Sequence, residues 1–438
     1  WTFTETNFQK TEVDCESDGT VDYTTTDSSI TSYTCSYLTD GSYTARVTVY
    51  DLADNTGSDS VTFTVDTTSP TVSITSPSDG AYLNTESVTV SWTFTETNFQ
   101  KTEVDCESDG TVDYTTTDSS ITSYTCSYLT DGSYTARVTV YDLADNTGSD
   151  SVTFTVDTTN PIVSQVLITP DKIAPSMSWV WYNIAEIDLA FSERSNYVIY
   201  IVNAQGEFVK EIGSGSAEDP EVKFWDGTDE QDNIVPHGTY YVMVNLTDQA
   251  GNENNEIQVG AIEVYDFILD LKQGWNQISV PKAIDDESWQ AMYENDNITA
   301  IYGWDASAQD WVVIEEGLEP GYGYFVYSKT DQLIGVNYAV NENTPSVIPS
   351  VLLKGGWNLI GYSCLSPSDI SSVIPFDLLD KVSVIYWYNP ASQDYELQYA
   401  DGLPVEDMYP GRGYWLHIPI TYSNEELYYL NICYSPPA

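Results

Sequence analysis

The sequence predicts an all-β chain: tandem antiparallel β-sandwiches, then a duplicated β-rich module carrying a little helix. Three observations carry that expectation. The first is alternation. Val88, Val90, Trp92 and Phe94 alternate with Thr89, Ser91, Thr93 and Thr95, giving one apolar and one polar face at period two. Ala45, Val47 and Val49 follow the same rule, as do Val61, Phe63 and Val65. Turn signals at Asp18-Gly19, Asp40-Gly41 and Asp79-Gly80 separate the runs. The second is duplication: Trp1 to Thr68 returns unchanged as Trp92 to Thr159, Ser69 becomes Asn160, and after a shared proline the copies diverge. The third is composition. With 438 residues, 41% hydrophobic and 13% aromatic, led by 34 Tyr, the chain holds enough apolar surface for several cores and favours residues that suit a pleated sheet. Short strands with turns at this spacing specify antiparallel sandwiches.

Residues 1–69 make the first sandwich and 70–160 the second. The segment Pro70 to Ser91 supplies the opening strands of the second copy, whereas the first begins at Trp1, in the middle of a strand. The first sandwich is therefore expected to lack its opening strands. Either upstream residues lie outside this sequence, or a neighbouring molecule supplies the strand, which would make the chain a self-associating filament subunit. Asp66-Thr67-Thr68-Ser69-Pro70, Val72-Ser73-Ile74-Thr75-Ser76-Pro77 and Tyr50-Asp51-Leu52-Ala53-Asp54-Asn55 resemble the prokaryotic Ig-like repeats of surface adhesins and surface-layer (S-layer) proteins. Asp40-Gly41-Ser42-Tyr43 resembles the tyrosine corner of such sandwiches, and recurs as Asp131-Gly132-Ser133-Tyr134 and as His237-Gly238-Thr239-Tyr240.

Residues 161–266 form a third sandwich of another type. Phe224-Trp225-Asp226-Gly227-Thr228-Asp229, Ile234 to Tyr241 and Thr247-Asp248-Gln249-Ala250-Gly251-Asn252 are similar to the Ig-like domain named after the flagellar hook-capping protein, with Asp232-Asn233 where that family usually has Gly. Residues 267–348 and 349–438 are two halves of a diverged duplication. Gly274-Trp275-Asn276-Gln277-Ile278 matches Gly356-Trp357-Asn358-Leu359-Ile360, and Gly321-Tyr322-Gly323-Tyr324-Phe325 matches Gly411-Arg412-Gly413-Tyr414-Trp415. Ile301-Tyr302-Gly303-Trp304-Asp305 parallels Ile385-Tyr386-Trp387-Tyr388-Asn389. This G-W-N pattern resembles a module of archaeal and some bacterial cell-surface proteins. Short helices are expected at 286–295 and 366–379, the latter with Ser366 as N-cap and Pro367 as first helical residue.

The six cysteines pair by position: Cys15 with Cys35, Cys106 with Cys126, and Cys364 with Cys433. None has C-x-x-C spacing, so structural disulfides and an oxidising, extracellular setting are expected. Sequons at Asn245 and Asn297 fit a glycosylated surface protein. A formal charge of −53 excludes a basic nucleic-acid or anionic-lipid footprint and favours cations. Calcium is the expected ion. Asp14, Glu16, Asp18 and Asp22, with Gly19 in the turn, and their repeats Asp105, Glu107, Asp109 and Asp113 carry oxygens at the spacing of an EF-hand-like loop start. Position 12, however, is Thr25 rather than a bidentate Glu. An alternative reading is an Asp-Gly hairpin with solvated acids. Asp51, Asp54 and Asp66 make a second candidate set, near the linker between the sandwiches. Trp304, Trp311 and Tyr322, or Trp387, Tyr388 and Trp415, are candidates for a glycan-binding platform, against the alternative that they are core. Only His237 and His417 are available as imidazole bases, and no nucleophile-elbow, zinc-protease, phosphate-loop or dinucleotide motif occurs. The expected function is a non-catalytic structural subunit of an extracellular filament or surface layer, with an adhesin stalk as the alternative. No segment is long and apolar enough to insert in a membrane as a helix.

Overall fold

The computed structural model describes residues 1–220, 222–339, 350–400 and 402–420, together with the strand at 428–431. It separates into two compact bodies, one of Trp1–Asn160 with Gln249–Asn252, the other of the remaining chain. Strands dominate both, as the alternation requires.

In the first body the two identical sequences meet different fates. The first copy forms a single sheet from β1 (Phe8–Asp14), β2 (Tyr23–Thr25), β3 (Gly41–Asp51) and β4 (Thr56–Val65), ordered β2-β1-β3-β4. The second copy adds β5 (Thr71–Ser76), β6 (Ala81–Leu83) and β7 (Val88–Thr95) before β8 (Phe99–Asp105), β9 (Tyr114–Thr116), β10 (Ser123–Cys126), β11 (Gly132–Asp142) and β12 (Thr147–Val156). These close a sandwich, with β10-β7-β5 facing β6-β12-β11-β8-β9. Val88, Val90 and Trp92 from β7 fill the space between the sheets and bury Val138, Val152 and Phe154. Without that cover the same side chains stay open: Val61 is 62% exposed, while its repeat Val152 is 4% exposed. Identical sequence with opposite burial shows what the β10-β7-β5 sheet contributes to the core. Both copies keep the tyrosine corner, because it needs only local chain. Tyr43 Oη donates to Thr39 O (2.7 Å) and Tyr134 Oη to Thr130 O (2.8 Å).

Beside each corner an aspartate holds the exit linker. Asp40 accepts from the Thr67 amide at 2.9 Å and from the Thr68 hydroxyl at 2.6 Å, and Asp131 holds Thr158 and Thr159 in the same way. Disulfides Cys15–Cys35 and Cys106–Cys126 close within their own copies. The third expected pair includes Cys433, which lies outside the described residues.

The second body opens with the third sandwich. Val163–Thr169, Ala185–Phe191 and Lys223–Trp225 form one sheet, and Lys172–Ile173, Glu253–Val264, Gly238–Thr247, Ser195–Asn203 and Phe208–Ala217 the other. Trp225 is the core anchor, packed 5.1 Å from Tyr240 with its indole donating to Thr228 O. Tyr240 Oη reaches Pro236 O at 2.9 Å, making a third tyrosine corner.

The C-terminal halves share one plan. Each G-W-N strand (Gly274–Ile278, Gly356–Gly361) pairs with the G-x-G-Y strand of its own half (Tyr324–Ser328, Gly413–Ile418). Each buried asparagine builds the turn before it. Asn276 accepts from the Lys272 amide and donates to Lys272 O and Gly274 O, and Asn358 does the same with Lys354 and Gly356. The first expected helix spans Asp286–Tyr293, capped by Asp285. The second expectation needs correction. Ser366 and Pro367 precede the helical turns, which run Ile370–Val373 and Phe376–Leu379. Asp369 is the N-cap because its carboxylate accepts from Ser371 N, while the Ser366 carbonyl is held by Tyr362 Oη.

Candidate functional site

The acidic loops turn their carboxylates toward backbone amides. Asp14 accepts from the amides of Glu16, Asp18 and Gly19, Asp18 from Thr20, and Asp22 from Cys15. In the second copy Asp105 takes Glu107 and Gly110, Asp109 takes Thr111, and Asp113 takes Cys106. Among the described residues, these acids form no group in which three ligand oxygens lie within 4.8 Å of one another.

Such a group does form at the linker between the first and second copies, from Asp66, Glu96 and Asp142. The expected trio of Asp51, Asp54 and Asp66 does not assemble. Gly41 pairs with Val65 at one end of the β3–β4 hairpin and Tyr50 with Thr56 at the other, so Asp51 and Asp66 occupy opposite ends. Asp66 instead meets Asp142, the repeat of Asp51. Asp142, which ends β11, thus faces the linker entering its own copy, not the one leaving it.

Asp142 is fully buried. Burial works to raise its carboxyl, but hydrogen bonds from the Asn146 side chain and from the Asn146 and Ala144 amides hold it below the ordinary aspartate range. Asn98 donates to Asp66 Oδ2 at 2.6 Å, and Asn146 to the Asp66 carbonyl at 2.8 Å. No Lys or Arg pairs with the trio among the described residues. Three hard oxygen donors at this separation fit calcium, whose oxygens sit about 2.4 Å from the ion and so about 4.8 Å apart across it.

A second candidate site lies on the C-terminal module. Two aromatic pockets open side by side, of about 490 and 500 Å³. Trp275, Tyr302, Trp311, Phe325, Tyr388 and Tyr395 line one, and Trp357, Tyr386, Tyr395, Trp415, Trp304 and Trp311 line the other. The duplication relates them position by position: exchanging the halves turns each lining set into the other. Phe325 and Trp415 are buried floors, whereas Trp311 and Tyr395, shared by both pockets, are 45% and 48% exposed. Burial pushes the Tyr388 and Tyr395 phenols up, so both are neutral at physiological pH.

A reciprocal clamp holds the halves in this arrangement. Gln309 accepts from the Trp357 amide and donates to its carbonyl, both at 2.9 Å. Gln393 grips Trp275 identically, at 2.9 and 3.0 Å. Of the expected platform residues, Trp304, Trp311, Tyr388 and Trp415 enter the pockets. Trp387 does not: it is 8% exposed and covered by the Arg412 guanidinium, 3.6 Å from its ring. Tyr322 is exposed but lines neither pocket.

The sequons differ. Asn297 is exposed beside the strand Ile298–Asp305, whereas Asn245 is half-buried in a strand with its Oδ1 accepting from the Glu256 amide. Neither histidine sits in an aromatic pocket. Among the described residues no helix is long and apolar enough to cross a membrane.

A family model for a bacterial Ig domain matches residues 70–140, and one for a FlgD Ig-like domain matches residues 185–250. No curated protein sequence matches the chain. Among solved structures, the chain is similar to fibronectin(III)-like modules of Clostridium thermocellum CbhA (14% identity, 44% of this chain and 92% of that one, TM-score 0.27). It is also similar to a tetra-tandem repeat from the extending region of a large adhesion protein (17% identity, 76% and 92%, TM-score 0.27). A third likeness is to a 1.5-MDa bacterial ice-binding adhesin (18% identity, 59% and 85%, TM-score 0.23). The chain thus carries a bacterial Ig domain followed by a FlgD-type Ig-like domain.

Proposed function

We propose that the chain is a non-catalytic, extracellular spacer in a cell-surface assembly, stiffened by calcium between consecutive Ig-like copies. The observation that carries this reading is the Asp66–Glu96–Asp142 cluster, which joins a linker acid of one copy to two acids of the next. Asp66 would hold the ion from the linker and Asp142 from the second copy, with Glu96 completing the anionic set. Bound calcium would neutralise like charges that otherwise repel and would restrain hinging. The disulfides and the aspartate-held linkers serve the same end.

The test is thermal unfolding of the full chain with about 1 mM calcium or with chelator, a concentration suited to extracellular sites. Calcium is expected to raise the first transition by several degrees. The rise should survive Asp105→Asn/Asp109→Asn and vanish in Asp66→Asn/Glu96→Gln. No calcium effect, or one that persists in the junction variant, would falsify the proposal.

Self-association into a filament or lattice belongs to the same reading. A second reading, an adhesin whose C-terminal module grips a partner, draws on the paired aromatic pockets.

A further inference from the structure

We propose that the paired aromatic pockets bind quaternary ammonium groups, one to each pocket. This deepens the adhesin reading by naming the chemistry its module would grip. The ring geometry comes first. In the first pocket Trp311 stands at 86° to Phe325, Trp275 at 64° to Phe325, and Tyr395 at 71° to Tyr388. In the second, Trp304 stands at 82° to Trp415 and Trp311 at 83° to it. Walls set near right angles around a floor aim several π faces into one space. A cation gains from each face, whereas a sugar ring stacks best on a flat platform.

The lining chemistry points the same way. Neither pocket is lined by a carboxylate, an amide side chain, a lysine or an arginine. Sugar hydroxyls or a primary ammonium, stripped of water there, would find few partners. The indole of Trp304 is already committed to the Trp357 carbonyl at 2.9 Å. A quaternary ammonium has no N–H to satisfy, so it enters such a lining at the lowest desolvation cost.

Charge complementarity adds the sign. The chain carries −53, and the exposed Asp310 and Asp394 directly precede the shared walls Trp311 and Tyr395, each accepting the following amide at 2.8 Å. The field at the mouths therefore favours cations.

The experiment is a fluorescence titration of the full chain with choline and with 3,3-dimethylbutan-1-ol, which has the same shape but carbon in place of the charged nitrogen. Equilibrium dialysis would give the stoichiometry. The expected result is saturable quenching by choline, two equivalents per chain, and at least about tenfold weaker binding of the neutral isostere. Trp311→Ala and Tyr395→Ala, at half-exposed positions common to both pockets, should each weaken choline about tenfold or more, with Trp311→Phe retaining much of the affinity. If Trp311→Ala disturbs the fold, the isostere comparison on the unaltered chain still decides. Equal binding of the isostere, no saturation by choline, or one equivalent per chain overturns the proposal. So does a preference for cellohexaose or for a proline decapeptide, titrated alongside, although either would leave the adhesin reading standing with another ligand.

Discussion

At Gly274 the backbone adopts φ +107°, and a Cβ built there would meet the carboxamide of Gln393. The glycine of the G-W-N motif is thus required twice, for the left-handed turn and for the clamp. Gly274→Ala is expected to destabilise the module by about 2 kcal/mol or more, since the left-handed conformation alone costs an L-residue about 1–2 kcal/mol. Gly402→Ala is the control, with φ +84° but open space around it. Urea unfolding followed by tryptophan fluorescence should show the larger loss at Gly274. Equal losses would mean that the clamp adds nothing. The linker aspartates are a second case. The side chain of Thr159, with the amide and side chain of Thr158, holds the Asp131 carboxyl below its ordinary value. Its contribution is therefore present above the unfolded value near ~4 and is lost as pH falls through the folded one. The Tm gap between the unaltered chain and Asp131→Asn should be open at neutral pH and close on acidification below about pH 4. A gap that does not change with pH rules out this role. The tyrosine corners were legible in the sequence because each closes within four residues. The glutamine clamp was not, since Gln309 and Gln393 stand in ordinary polar hairpins and act on the opposite half.

Among the elements, the two copies form a controlled comparison. Residues of β4 and β12 are identical in sequence, but β12 has β6 paired along its edge and the β10-β7-β5 sheet over its face, and β4 has neither. Val152→Asp places a carboxylate at a 4% exposed site and should unfold the second copy, costing about 4 kcal/mol or more. Val61→Asp, at 62% exposure, should shift stability by no more than about 0.5 kcal/mol. Scanning calorimetry of the two variants distinguishes them. Comparable destabilisation by both substitutions would show that the first face is covered in solution. Period-two alternation made these strands readable, and it placed their apolar faces correctly. It does not encode whether a partner sheet is present, which is a property of the neighbouring chain. The helical turns near residue 370 were misplaced by a few residues because Ser366-Pro367 imitates a helix start that Asp369 supplies.

For the molecule as a whole, the all-β class was legible because repeats and turn signals are local. The candidate sites were less so. The acidic loops had the spacing of a calcium site, yet among the described residues no three of their ligand oxygens lie within 4.8 Å of one another. The carboxylates that do converge come from three distant points in the chain, Asp66, Glu96 and Asp142. The aromatic pockets were partly visible as a residue list. Their two-fold relation depends on register, which pairs Trp304 with Trp311 and Tyr388 with Tyr395.

One consequence concerns how the chain reaches this state. β7 runs almost directly into β8, where Phe94 stacks on Phe99 at 5.2 Å and holds the closing strand against the facing sheet of the same copy. That contact joins neighbours in sequence, so it forms at little loop-closure cost. Where copies share one sequence, the short β7–β8 connection rather than side-chain chemistry selects which sheet a closing strand covers.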